Sequence, residues 1–285
     1  MPPRAWLLIL LLMGMMGGGC SVTGLTNPGS DGDATAIAPQ SGHALDPQVY
    51  AGVLSAYVDD QGLVDYAQLQ QNRQGLDQYL QAIADLPPAT YDQLSEPDKI
   101  AFLINAYNAI TLKSIIDQTP LKASIRDIPG VWKWRKHPVA GQSLTLDQIE
   151  HEILRKQFNE PRIHAALVCA ANGCPPLRQE PYDGDRLEMQ LQDQTERFLN
   201  HPQGFRLDQA NQKVYLSLIF QWFGQDWQKS FQPPQGFQGN DQEKAVLNFI
   251  GNYLSPPEQT FLQNGEYQVQ YFDYDWSLNQ QSAKP

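Results

Sequence analysis

Basic charge is scarce in this chain of 285 residues: 20 Lys and Arg stand against 31 Asp and Glu, for a formal net charge of −11. The pI of about 4.8 follows. A basic stripe that could track a phosphate backbone is missing, which excludes nucleic acid as a partner and disfavours polyanions generally. Long apolar runs are also lacking. The one strongly apolar stretch, Trp6 to Met16, is too short to span a bilayer comfortably. There is no internal repeat. Cysteine is limited to Cys20, Cys169 and Cys174. The last two have four residues between them, so the Cys-x-x-Cys spacing of thioredoxin-like redox enzymes is absent. Histidine occurs at positions 43, 137, 151, 164 and 201 only.

What is present begins with an export signal. Arg4 is a minimal positive region and Trp6–Met16 its apolar core. Gly17-Gly18-Gly19-Cys20 then resembles a bacterial lipoprotein cleavage site, with Gly17 where leucine is usual. This predicts a signal over residues 1–20, with Cys20 lipidated and the chain anchored to a membrane surface in the bacterial envelope, facing the periplasm or the exterior. Cleavage removes Arg4 and no other charge, so −11 becomes −12. Outside the cytoplasm, Cys169 and Cys174 are free to form a disulfide. Residues 21–44, rich in Gly, Ser, Thr, Asp, Pro and Ala, read as a flexible tether. One domain is expected from about 45 to 279, with a tail over 280–285.

Within that domain, helical periodicity marks Asp46–Tyr57 and residues 67–85. Ser95, Pro97 and Asp98 form a helix start, and Ile100–Ile116 is apolar on nearly every face, as a central buried helix must be. Asn105 and Asn108 lie three apart on it. They are expected either to pin neighbouring backbone or to border a site and touch substrate. An aromatic connector over 119–142 ends in a hairpin tip at Val139–Gln142. Thr145 and Gln148 cap the next helix, whose apolar face holds Leu146, Ile149, Ile153 and Leu154. Glu150 falls in the middle of that face and His151 at its edge. A carboxylate there needs a partner, because burying it alone is expensive. Ile163–Cys169 reads as a short buried strand in which His164 and Cys169 alternate to opposite faces. A loop through Cys174 to Arg178 follows. Helices over 184–200, 218–227 and 241–254, a hairpin of 205–207 with 213–216, and a final extended segment, 267–274, complete an α+β fold of helices around a small, mostly antiparallel sheet. Trp132, Trp134, Trp222 and Trp227 read as core.

Five segments together resemble the domain-of-unknown-function 547 family: Phe102–Ala109, Ser124–Ile128, Asp147–His151, Ile163–Arg178 and Asp275–Asn279. The family's activity is, by its name, unassigned. The resemblance implies a relationship to transglutaminase-like and papain-like cysteine enzymes and a Cys-Glu-His group. On this chain that group would draw on Cys169 or Cys174 as nucleophile, His164 or His151 as base, and Glu150 as the orienting carboxylate. Glu150 is expected to pair with His164 across the two elements, since adjacent helix residues do not face each other. Arg178 is the rival counter-ion for Glu150 and, with the asparagines, a candidate substrate contact. Four readings compete: a thiol-dependent hydrolase or acyl-transferase acting on an amide, peptide or thioester; a non-catalytic binding or scaffolding lipoprotein; a structural or redox Cys169–Cys174 disulfide; and metal binding, for which the spacing is a poor zinc pattern. No metal or cofactor is expected, and no protein partner can be named.

Overall fold

A computed structural model describes residues 47–233 and 235–282. The export signal, Cys20 and the tether lie outside these residues. Helices α1 (Pro47–Tyr57), α2 (Tyr66–Gln71), α3 (Gln74–Asp85) and α4 (Pro88–Asp92) lead into α5 (Glu96–Ile116). Ser95 caps α5 by accepting from the Asp98 amide, and Pro97 occupies its first turn. From Ile100 to Leu112 every α5 side chain is buried. The apolar run with no polar face thus becomes the helix around which the others pack.

Strands β1 (His137–Val139) and β2 (Gln142–Leu144) pair antiparallel. Their turn places Ala140 and Gly141 at φ of 47° and 73°, the doubly positive geometry of a tight hairpin. A π-helix, Gln148–Leu154, runs into a turn of α-helix, α6 (Arg155–Gln157). Then come α7 (Ile163–Ala166), α8 (Leu187–Leu199), β3 (Phe205–Asp208), β4 (Lys213–Leu216), α9 (Leu218–Phe223), α10 (Gln225–Phe231), α11 (Asp241–Gly251), α12 (Pro256–Asn264) and β5 (Gln268–Tyr271). Strand β4 pairs antiparallel with β3 and parallel with β5. The fold is therefore α+β, with helices packed near two small open sheets instead of around one. Among the described residues no helix is long and apolar enough to cross a membrane.

The expected strand over Ile163–Cys169 is a correction. Pro161 opens a helical turn instead: its carbonyl accepts from His164 N, and Ile163 O accepts from Leu167 N at 2.9 Å. The chain then extends. A strand would need a neighbour for its backbone groups, and here Asn108 takes that place. Its Nδ2 donates to Ala166 O at 3.0 Å and its Oδ1 accepts from Val168 N at 2.9 Å.

Two apolar cores result. One surrounds α5 and takes in Tyr107, Leu167 and Cys174. The other packs α9, α10 and α11 on β4, around Trp227, Val246 and Phe249. The closing segment is stitched to both ends of the α5 core. Val64 N donates to Asn279 O, Leu278 N to Ala123 O, and Gly173 N to Asp275 O. Tyr66 Oη donates to Asn279 Oδ1 at 2.7 Å. These bonds fix Tyr274 and Trp276, which pack against the α5 core.

Candidate functional site

Thr145 and Gln148 bond reciprocally: Gln148 N donates to Thr145 Oγ1 at 3.1 Å, and Thr145 N to Gln148 Oε1 at 3.0 Å. This cap opens the π-helix. Leu146, Ile149 and Leu154 are fully buried beneath it. A π turn is wider than an α turn, and in it the successive side chains Glu150 and His151 both reach one cavity. Only 12% of the Glu150 side chain is exposed, against 31% of His151.

That cavity, of about 270 Å³, lies where the two cores meet. The α5 core contributes Tyr107, Trp132, Leu167 and Cys174, and the other core Ile219 and Phe223. Trp222, Tyr274 and Trp276 close one side as a mutual cluster. Their centroids are 4.9 Å apart for Trp222–Tyr274, 6.0 Å for Trp222–Trp276 and 4.6 Å for Tyr274–Trp276. Trp132 meets Trp276 edge-on at 6.2 Å. Asp147 and Lys133 complete the polar lining.

Glu150 takes its hydrogen bond from Tyr107, whose oxygen in turn accepts from Trp132. Burial, and then the charge on Glu150, push the Tyr107 phenol well above its ordinary value, so it stays a donor. Burial and the same charge raise Tyr274. His151 is not hydrogen-bonded to Glu150. Arg155 Nη1 lies 3.2 Å from His151 Nδ1. Arginine can only donate, so Nδ1 accepts and the ring proton sits on Nε2, which faces Asp147 at 3.6 Å. Glu150 Oε1 is 3.8 Å from the occupied Nδ1, beyond hydrogen bonding.

His164 has another partner as well. Its Nε2 is 2.8 Å from Asp226 Oδ2, and its ring stacks on Phe223 at 4.3 Å with planes 9° apart. Arg155 grips the same carboxylate through Nε at 2.6 Å and Nη2 at 3.1 Å. Burial would raise Asp226, but hydrogen bonds from His164 and Arg155 outweigh it and hold the carboxyl at about 2. The expected Glu150–His164 pair is thus replaced by His164–Asp226–Arg155–His151.

Cys169 and Cys174 are joined in a disulfide. Cys169 N donates to Cys174 Sγ at 3.0 Å, and Tyr274 Oη lies 3.2 Å from each sulfur. Both cysteines line the cavity, but neither sulfur is hydrogen-bonded to a histidine. Ala170, inside the closed loop, has φ of 58°.

All five candidate catalytic residues, Glu150, His151, His164, Cys169 and Cys174, therefore reach one cavity, including the two that strand alternation had set apart. The three candidate substrate contacts do not line it. Asn105 clamps Tyr182, donating to its carbonyl and accepting from its amide at 2.8 Å each. Asn108 clamps α7 as described. Arg178 is no counter-ion to Glu150: it pairs with Glu180 at 2.7 Å and with Asp193. Of the tryptophans expected in the core, Trp227 is buried, while Trp222 and Trp134 are 43% and 79% exposed. Sequence reasoning missed Asp226, Tyr107 and Tyr274. Asp226 carried a usable signal, an acid inside the aromatic run Leu218–Trp227; the tyrosines carried none. Among the described residues no group of three or more His, Cys, Asp or Glu is arranged to hold a metal ion.

Residues 91–199 match the family described as "Protein of unknown function, DUF547". The chain thus contains a region of that family, running from α4 to the end of α8. The match stops short of Asp275–Asn279, and α9, Asp226, Tyr274 and Trp276 also lie beyond it. No curated protein and no solved structure matches the chain.

Proposed function

We propose that this protein is a non-catalytic binding lipoprotein of the bacterial envelope, tethered through Cys20, which takes a small organic ligand into the cavity between its two cores. The Cys169–Cys174 bridge is then a structural part of the cavity wall. One observation carries the reading. The two sulfurs that thiol catalysis would need are joined to each other, and neither is hydrogen-bonded to His164 or His151, whose rings contact Asp226 and Arg155. The aromatic cavity beside them stays open. Mostly apolar walls with a few convergent polar groups are the usual make-up of a ligand site. The test is tryptophan fluorescence and thermal unfolding of the full-length protein against a panel of cationic, neutral and anionic metabolites. Saturable binding, weakened by Trp222→Ala and unaffected by iodoacetamide, is expected. Failure of every class to bind refutes the reading. Labelled palmitate still incorporated by Cys20→Ala refutes the tether.

The gathering of both cysteines, both histidines and Glu150 on one cavity favours a second reading. Here the reduced protein is a thiol-dependent enzyme acting on an amide, peptide or thioester, and the transglutaminase-like or papain-like relationship belongs to it. Under reductant, thioester hydrolysis abolished by Cys169→Ala or Cys174→Ala would establish this reading over the first.

A further inference from the structure

Glu150 is the more deeply buried of the two carboxylates that line the cavity, the side chain of the other, Asp147, being 32% exposed. The Glu150 side chain is 12% exposed, and its hydrogen bond comes from a neutral phenol, Tyr107. Among the described residues no Lys or Arg lies within ion-pair distance of it, and the nearest ring nitrogen, His151 Nδ1, already accepts from Arg155. A carboxylate so placed is costly unless a cation reaches it. The cavity is large enough to admit one. Its 270 Å³ far exceeds the roughly 10–15 Å³ that a single water needs.

The walls decide what kind of cation. Trp132, Trp222, Tyr274 and Trp276 offer negative ring faces and little hydrogen bonding. A small, strongly hydrated ion would lose its water there without replacement. A bulky, weakly hydrated ammonium loses less and gains from the rings. The cluster already accepts such contact on one side, where the Arg126 guanidinium lies 5.2 Å from the Trp276 ring. Asp147, on the same lining, adds a second negative charge, and Lys133, also on it, is exposed. An anionic ligand would meet Glu150 unpaired.

We propose that the cavity binds an organic cation of the methylated or quaternary ammonium class, its charged head between Glu150 and the Trp222–Tyr274–Trp276 cluster. This rests on the ligand-binding reading above. The test compares choline with its neutral isostere 3,3-dimethylbutan-1-ol, using tryptophan fluorescence of the full-length protein at constant ionic strength. Choline should bind at least about tenfold more tightly. Glu150→Gln should weaken choline by about tenfold and leave the isostere unchanged. Trp222→Ala should weaken both. The wild-type comparison needs no variant to fold. Equal or tighter binding of the isostere overturns the cation assignment while the ligand-binding reading stands, as does preference for a sugar or a carboxylate. Absence of binding by every class overturns both.

Discussion

Replacing Asn108 removes the side chain that stands in for a neighbouring strand. It is 3% exposed, and its amide satisfies Ala166 O and Val168 N together. In Asn108→Ala both backbone groups lose that partner inside the core. Each buried unsatisfied group costs about 1–3 kcal/mol, so the variant should lose about 3 kcal/mol, a large part of a typical domain's stability. Asn108→Asp separates the two bonds. Either protonation state still accepts from Val168 N, but only the acid can donate to Ala166 O. Burial and the facing carbonyl raise the folded pKa of the new carboxyl above the unfolded value of about 3.9. Its stabilising contribution is therefore complete below the unfolded value and is lost as pH rises through the folded one. Relative to wild type, Asn108→Asp should be least impaired near pH 4 and should worsen by up to about 1.4 kcal/mol per pH unit until the folded pKa is passed. Urea unfolding followed by far-UV circular dichroism, with midpoints compared at constant slope, measures both. Asn105→Ala is the control. It should destabilise comparably through Tyr182 while sparing the cavity, whereas Asn108→Ala should also weaken ligand binding, because α7 carries His164 towards Cys169. A loss under about 0.5 kcal/mol for Asn108→Ala would refute the reasoning, and so would an Asn108→Asp variant that recovers as pH rises.

Opening the Cys169–Cys174 bridge releases a loop of only six residues (169–174), so the chain-entropy estimate is modest, about 2 kcal/mol. The double Cys→Ser variant should lose that much in urea, and reductant should affect wild type but not the variant; identical midpoints for both proteins would refute it. Asp226, held at about 2, contributes stability that is present above its unfolded pKa and disappears as pH falls through its folded one. Allowing for its partial exposure, Asp226→Asn should cost about 1 kcal/mol at pH 7 and less near pH 2.5. A penalty that grows on acidification would contradict this.

The elements that the sequence made legible are those whose pattern is local. Helix α5 announces itself by a cap at Ser95 and an apolar run with no polar face. The β3–β4 hairpin follows from two short runs around Asp208–Asn211, and the capping pair Thr145–Gln148 fixes where the next helix starts. Helix α12 left no comparable pattern, since Leu262 is its sole fully buried side chain. Glu150 was legible as an inward carboxylate, but its partner was not. Helical phase says which way a side chain points, while the partner is set by packing between elements far apart in sequence. Tyr107 lies on α5, and His164 finds Asp226 sixty-two residues away. Arg178, the rival counter-ion, found carboxylates nearer in the chain, at Glu180 and Asp193.

The stretch from Ile163 to Cys174 shows why proximity and chemistry must be argued separately. Alternation would have turned His164 away from Cys169. The helical turn bounded by Pro161 and held by Asn108 brings both to the cavity, so the residue types of a thiol enzyme are gathered after all. Gathering alone gives no relay. A base must hydrogen-bond the nucleophile and be oriented by a third group. Here Asp226 holds His164 through Nε2, but neither sulfur is hydrogen-bonded to that ring, which is packed against Phe223. The sulfurs look instead to Tyr274, a phenol that burial keeps protonated. That leaves Glu150, the more buried of the two cavity carboxylates, facing aromatic walls, with no Lys or Arg within ion-pair distance of it among the described residues. An acyl-transfer site needs donors aimed at a developing oxyanion. A buried anion ringed by tryptophans favours the opposite charge, and for that reason the cavity is better matched to an organic cation than to a tetrahedral intermediate.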